Sequence, residues 1–123
     1  MNDTTTVLVV DDSRVSRMMA RQFILSAKPH WTVEEAGTGE EALERVKTLS
    51  PALILLDVNM PGIGGMAAAE RLRALCPKAH ISLVTANVQN ATRNRAGELG
   101  IGFMEKPITE ARIHALIGAI STD

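Results

Sequence analysis

ALILLDVNMPG, residues 52–62, passes through five unbroken apolar positions, Ala52 to Leu56, reaches a lone acid, Asp57, and turns at Met60-Pro61-Gly62. An apolar run this short, closed by a Pro-Gly turn, has the pattern of a strand buried on both faces, as at the centre of a parallel sheet. Asp57 then stands at the strand's carboxyl end. In open α/β sheets that edge binds ligands, near the point where the strand order reverses.

Working outward, the same rhythm repeats. Val7 to Val10 reads as a strand that stops at Asp11-Asp12-Ser13, and a helix follows with Val15, Met18, Met19 and Phe23 on its inward face. Asp12 or Ser13 is expected to cap that helix, and Met18 and Met19 to fill core space. Thr32 to Ala36 is a second strand, and Gly37-Thr38-Gly39 leads into a helix that buries Ala42, Leu43 and Val46. After the Asp57 strand a helix places Ala68, Leu72, Leu75 and Cys76 inward and ends at Pro77. His80 to Thr85 is the fourth strand. Asn90 to Leu99 is a weakly amphipathic helix, with Ala91, Ala96 and Leu99 inward, and Gly100 closes it. Ile101 to Met104 is the fifth strand, Lys106-Pro107 a turn, and the last helix carries Ile113, Leu116, Ile117 and Ile120 on one stripe. Five strands alternating with five helices predict a doubly wound parallel sheet with helices on both faces. With the most apolar strand central, the order is 2-1-3-4-5, which sets the first and third strands side by side.

The totals narrow the function. A chain of 123 residues holds one core, so residues 1–123 read as a single domain. A net charge of −1 gives no cause to expect nucleic acid, and aromatics at 2% offer no base-stacking platform. One cysteine, Cys76, suits a reducing compartment, and no apolar run approaches the roughly 18 residues a membrane span needs, so a cytoplasmic protein without membrane contact is expected.

In that topology the ends of strands one, three, four and five deliver Asp11 and Asp12, Asp57, Thr85 and Lys106 to one edge. Two unit charges ~4 Å apart cost on the order of 4 kcal/mol at an effective dielectric of about 20, so three clustered carboxylates call for a cation. Oxygen-only ligands in an open cleft suit Mg2+. A metal, a lysine and a hydroxyl around one carboxylate meet the needs of phosphoryl transfer, in which charge spreads over three equatorial oxygens. Asp57, ionised at neutral pH, is the expected nucleophile.

VLVVDD (Val7 to Asp12), LLDVNMPG (Leu55 to Gly62), LVTA (Leu83 to Ala86) and EKPI (Glu105 to Ile108) occur in the order found in the receiver domains of two-component response regulators. Over essentially its whole length the chain resembles a stand-alone, CheY-like member, with the flavodoxin-like strand order. The resemblance implies that Asp57 accepts a phosphoryl group from a histidine kinase or histidine phosphotransfer protein. It implies too that Asp12 binds Mg2+ directly, Asp11 through water and Asn59 through its main-chain carbonyl, and that Thr85 and Lys106 contact the phosphoryl group. Phe103 matches the family's aromatic switch position but lacks the hydroxyl of the tyrosine often found there. Asn59 and Asn87 match positions that tune dephosphorylation in the family. Such a protein is a phosphoacceptor rather than an enzyme acting on other substrates, a monomer or weak dimer, and binds a downstream partner through its helix 4, strand 5 and helix 5 face.

Other readings fit less well. A receiver domain cut from a larger regulator has the same signature. A hydrolase needs a pocket-building cap insertion, for which no segment is long enough. A flavodoxin-like cofactor carrier needs aromatics around its ring, and Phe23, Trp31 and Phe103 are the only ones. Gly37-Thr38-Gly39 mimics a dinucleotide fingerprint, but the acid that should accompany it is two strands away. His30, His80 and His114 lack ligand spacing and read as surface residues.

Overall fold

The computed structural model describes residues 5–60, 62, 64–86 and 89–120. Pro61 of the predicted turn and Asn87 lie outside them. The elements are β1 (Thr6–Val10), α1 (Arg14–Ala27), β2 (Thr32–Ala36), α2 (Gly39–Arg45), β3 (Leu53–Asp57), α3 (Gly64–Leu75), β4 (His80–Thr85), α4 (Asn90–Leu99), β5 (Gly102–Glu105) and α5 (Glu110–Ile120). The strands form one parallel sheet in the order β2-β1-β3-β4-β5. Fold class and strand order are those expected. No helix among the described residues is long and apolar enough to cross a membrane.

Alternation along the strands divides the core into two layers. Leu8, Val10, Ile54, Leu56, Ile81 and Leu83 face α2, α3 and α4, meeting Ala42, Ala68, Leu72 and Ala96. Val7, Val9, Leu53, Leu55 and Val84 face α1 and α5, meeting Ala20, Ile24, Ile113 and Ile117. Every residue of β3 is buried, which is why its sequence carries no polar alternation.

Local chemistry sets the helix starts. Ser13, not Asp12, caps α1: its Oγ accepts from the Ser16 amide at 3.2 Å. At α2, Thr38 Oγ1 accepts from the Glu41 amide at 3.0 Å, and Glu41 Oε1 accepts from the Gly37 amide at 2.8 Å. Gly37-Thr38-Gly39 is thus a capped helix start, and its resemblance to a nucleotide loop ends there.

Three helix faces differ from expectation. In α1, Val15, Met18 and Met19 are exposed, and the residues facing the sheet are Ala20 and Ile24, with Phe23 only partly covered. Polar tethers turn the helix: Arg17 and Arg21 both reach Glu35 on β2, and Arg21 also donates to the Val33 carbonyl. The small Ala20 lets the helix lie close to the sheet. Leu75 is exposed because the inward line of α3 runs through Ala68, Leu72 and on to Cys76, leaving Leu75 on the outer side of its last turn. Ala91, in the first turn of α4, is exposed, and Ala96 is that helix's one buried residue among those described. β5 is displaced by one residue, to Gly102–Glu105, since Ile101 donates its amide to Ala96 in the helix closure.

Candidate functional site

Strand register brings the predicted residues to one edge. Val10 pairs with Leu56, so Asp11 and Asp57 leave adjacent strands at the same height. Asp57 pairs with Val84, and Thr85 follows it at the end of β4. Thr85 pairs with Glu105 and accepts the Lys106 amide on its carbonyl at 2.9 Å, which sets Lys106 at the rim. Asp11, Asp12, Asp57, Thr85 and Lys106 therefore converge from four strands.

The acids form a tight group. One carboxylate oxygen from each of Asp11, Asp12 and Asp57 lies within 4.8 Å of the other two. Asp11 and Asp57 are buried, at 4% and 3% exposure, while Asp12 is exposed and opens the cluster to solvent. Lys106 Nζ stands 3.3 Å from Asp57 Oδ1, and the Asn59 amide donates to that same oxygen at 3.3 Å. Thr85 is buried at the strand end.

The electrostatics report an anionic site short of positive charge. Burial pushes the Asp11 carboxyl above its ordinary range; the Ser13 amide opposes this, the Asp57 charge adds to it, and Lys106 offsets part of it. Three hard oxygen donors, one open to solvent, fit a divalent cation of the Mg2+ kind, which keeps several waters and takes few carboxylates. Asp11, Asp12 and Asp57 could hold it, with the Asn59 carbonyl nearby in sequence.

Two supports of this site are not among the residues expected from the sequence. Gly65, in the first turn of α3, donates its amide to the Val58 carbonyl at 3.1 Å, and a Cβ there would stand 2.4 Å from the Asp57 carbonyl oxygen. The Gly64-Gly65 pair opening a helix is the one hint of so close an approach. Arg112 of α5 donates to the carbonyls of Glu105 at 2.6 Å and Pro107 at 3.1 Å, clasping the turn that carries Lys106.

Phe103 lies away from the acids, half-buried on β5 opposite Leu83. The Arg93 guanidinium sits 5.8 Å from its ring centroid, in the range of a cation–π contact. Arg95, by contrast, is held by Glu70 at 3.0 Å and Glu98 at 2.9 Å.

Comparison with known proteins gives a consistent result. The family model described as the response regulator receiver domain matches residues 7–118. Protein CcdB of Bacillus subtilis strain 168 is 36% identical over 110 residues, covering 89% of this chain and 91% of that protein. The chemotaxis protein CheY of Thermotoga maritima is 32% identical over 116 residues, 94% of this chain and 96% of that one. Among solved structures, chemotaxis protein CheY4 of Vibrio cholerae superposes with a TM-score of 0.87 at 24% identity, covering 97% of this chain and 100% of that one.

Proposed function

Since the chain belongs to the response regulator receiver domain family, we propose that it is a phosphorylation-controlled switch of two-component signalling with Asp57 as the phosphoacceptor. The observation that carries this reading is the three-carboxylate group within 4.8 Å, with Lys106 held 3.3 Å from Asp57.

An Asp57 carboxylate oxygen attacks the phosphorus of a phosphohistidine on a histidine kinase or phosphotransfer protein. The new P–O bond forms as the P–N bond breaks, and the imidazole leaves with the bonding pair. Lys106 would shift its charge from the carboxylate to the incoming phosphoryl oxygens, and Thr85, at the neighbouring strand end, would donate its hydroxyl to one of them. Asp11, Asp12 and Asp57 would hold Mg2+, whose charge would offset the negative charge that develops on the phosphoryl oxygens. The exposed position of Asp12 keeps the site open to the donor and to the water that later hydrolyses the acyl phosphate. On this reading the protein catalyses only its own phosphorylation and slow resetting.

Output would pass through the α4, β5 and α5 face to an unidentified partner protein in the cytoplasm. Moving a population from 1:99 to 99:1 takes about 5.5 kcal/mol, within reach of a few charge-assisted hydrogen bonds to a phosphoryl group. Phe103 would change position in the switch, a reading supported by its half-covered ring under Arg93.

Acetyl phosphate with Mg2+ is expected to add one phosphoryl group, read by intact mass. Equal labelling of the Asp57→Asn variant would sink the assignment.

A further inference from the structure

Asp11 is held at each of its polar groups by a different part of the chain. Its amide donates to the Ala36 carbonyl on β2 at 3.1 Å, and its Oδ1 accepts from the Ser13 amide at 2.8 Å. Its carbonyl accepts from Arg17 Nη1 at 2.7 Å, a short charge-assisted bond. That carbonyl belongs to the peptide joining Asp11 to Asp12. A peptide is planar, so the bond that orients this carbonyl also sets the direction in which the chain delivers Asp12.

Arg17 is itself fixed. Its Nε donates to Glu35 Oε1 at 2.9 Å, only 19% of the side chain is exposed, and a Cβ at Gly37 would stand 3.5 Å from Nη1. Glu35 sits on β2 opposite Val9, two residues before Asp11. The guanidinium therefore spans from β2 to the one peptide that links two of the three clustered acids. Arg17 engages the main-chain carbonyl of Asp11.

From this geometry we propose that Arg17, braced by Glu35, is a positioning residue for the cation site: it fixes the Asp11–Asp12 peptide so that both carboxylates meet Asp57. The proposal rests on the reading of the acids as a Mg2+ site and adds a residue to it. Charge and position make opposite predictions here. Removing a cation near an anionic cluster strengthens the cluster's attraction for Mg2+, whereas loss of positioning weakens binding.

Arg21 supplies the control. It also leaves α1 for β2, donating to Glu35 at 3.2 Å and to the Val33 carbonyl at 3.1 Å, but it does not touch Asp11. Mg2+ alone, titrated calorimetrically into metal-free protein, is the probe. Arg17→Met keeps the aliphatic stem and loses every donor, and its Mg2+ dissociation constant is expected to rise about tenfold, the usual cost of losing an outer support of a metal ligand. Arg21→Ala is expected to leave it unchanged. Should Arg17→Met fold poorly in thermal melts, Arg17→Lys, which keeps the charge but not the planar fork, is expected to show weakened binding that Arg21→Ala lacks. Unchanged or tighter Mg2+ binding in the Arg17 variants, or equal weakening in Arg21→Ala, overturns the positioning role and leaves the site standing. Wild-type protein that binds no Mg2+ overturns the site reading itself, and the positioning role with it.

Discussion

Asp11 is a buried acid beside other acids. Burial and the Asp57 charge raise its carboxyl above the ordinary value of 3.8, so the ionised form is disfavoured in the folded protein. The sign follows from linkage: the favourable term is fully present below the unfolded value and is lost as pH rises through the raised folded one. Metal-free protein at pH 7 therefore carries a penalty that Asp11→Asn removes, and the asparagine oxygen can still accept the Ser13 amide. In EDTA at pH 7 that variant is expected to melt a few degrees higher, corresponding to about 1 kcal/mol, with the gain shrinking as the pH approaches 3.8. Circular dichroism melts at both pH values check it; a lower melting temperature at pH 7 would contradict the account. At this scale the acids, Thr85 and Lys106 were legible because each ends or follows a recognisable strand. Arg17 and Gly65 were not, since their roles are contacts with main-chain atoms that no residue type announces.

Elements meet at the site through close backbone approach. The start of α3 lies against the end of β3 where a Cβ on Gly65 would come 2.4 Å from the Asp57 carbonyl oxygen and 2.5 Å from Val58 Cα. Backbone cannot yield as a flexible side chain does, so Gly65→Ala must push the helix away. The variant is expected to lose roughly 1–3 kcal/mol in urea unfolding and to label more slowly with acetyl phosphate. Wild-type stability and labelling rate together would show that α3 can shift freely. The same scale exposes where periodicity misleads. Val15, Met18, Met19 and Phe23 form a plausible apolar stripe, yet α1 turns toward Ala20 and Ile24 because Arg17 and Arg21 are tied to β2. A stripe identifies a helix, but competing polar tethers decide which side faces inward.

Across the whole molecule the two core layers share β3. Ile54 and Leu56 pack toward α2, α3 and α4, while Leu53 and Leu55 pack toward α1 and α5, beside Trp31. One sheet supporting both layers makes a single cooperative unit. Ile54→Ala is expected to cost about 2–5 kcal/mol and to shift the unfolding midpoint equally by Trp31 fluorescence, on the opposite layer, and by far-ultraviolet circular dichroism. Separate midpoints would mean that the layers unfold independently. From sequence alone came the element types, the parallel sheet, its 2-1-3-4-5 order and the edge where the acids gather, because apolar runs, turn residues and chain order are local properties that survive without coordinates. Only the tertiary structure decided which face each helix buries, which of Asp12 and Ser13 caps α1, and how the peptide between Asp11 and Asp12 is held. The cap and the peptide turn on which nearby side chain reaches the main chain, while the face α1 buries depends on groups far apart along the chain meeting in space, where a guanidinium reaching a carbonyl on β2 outweighs the preference of an apolar stripe.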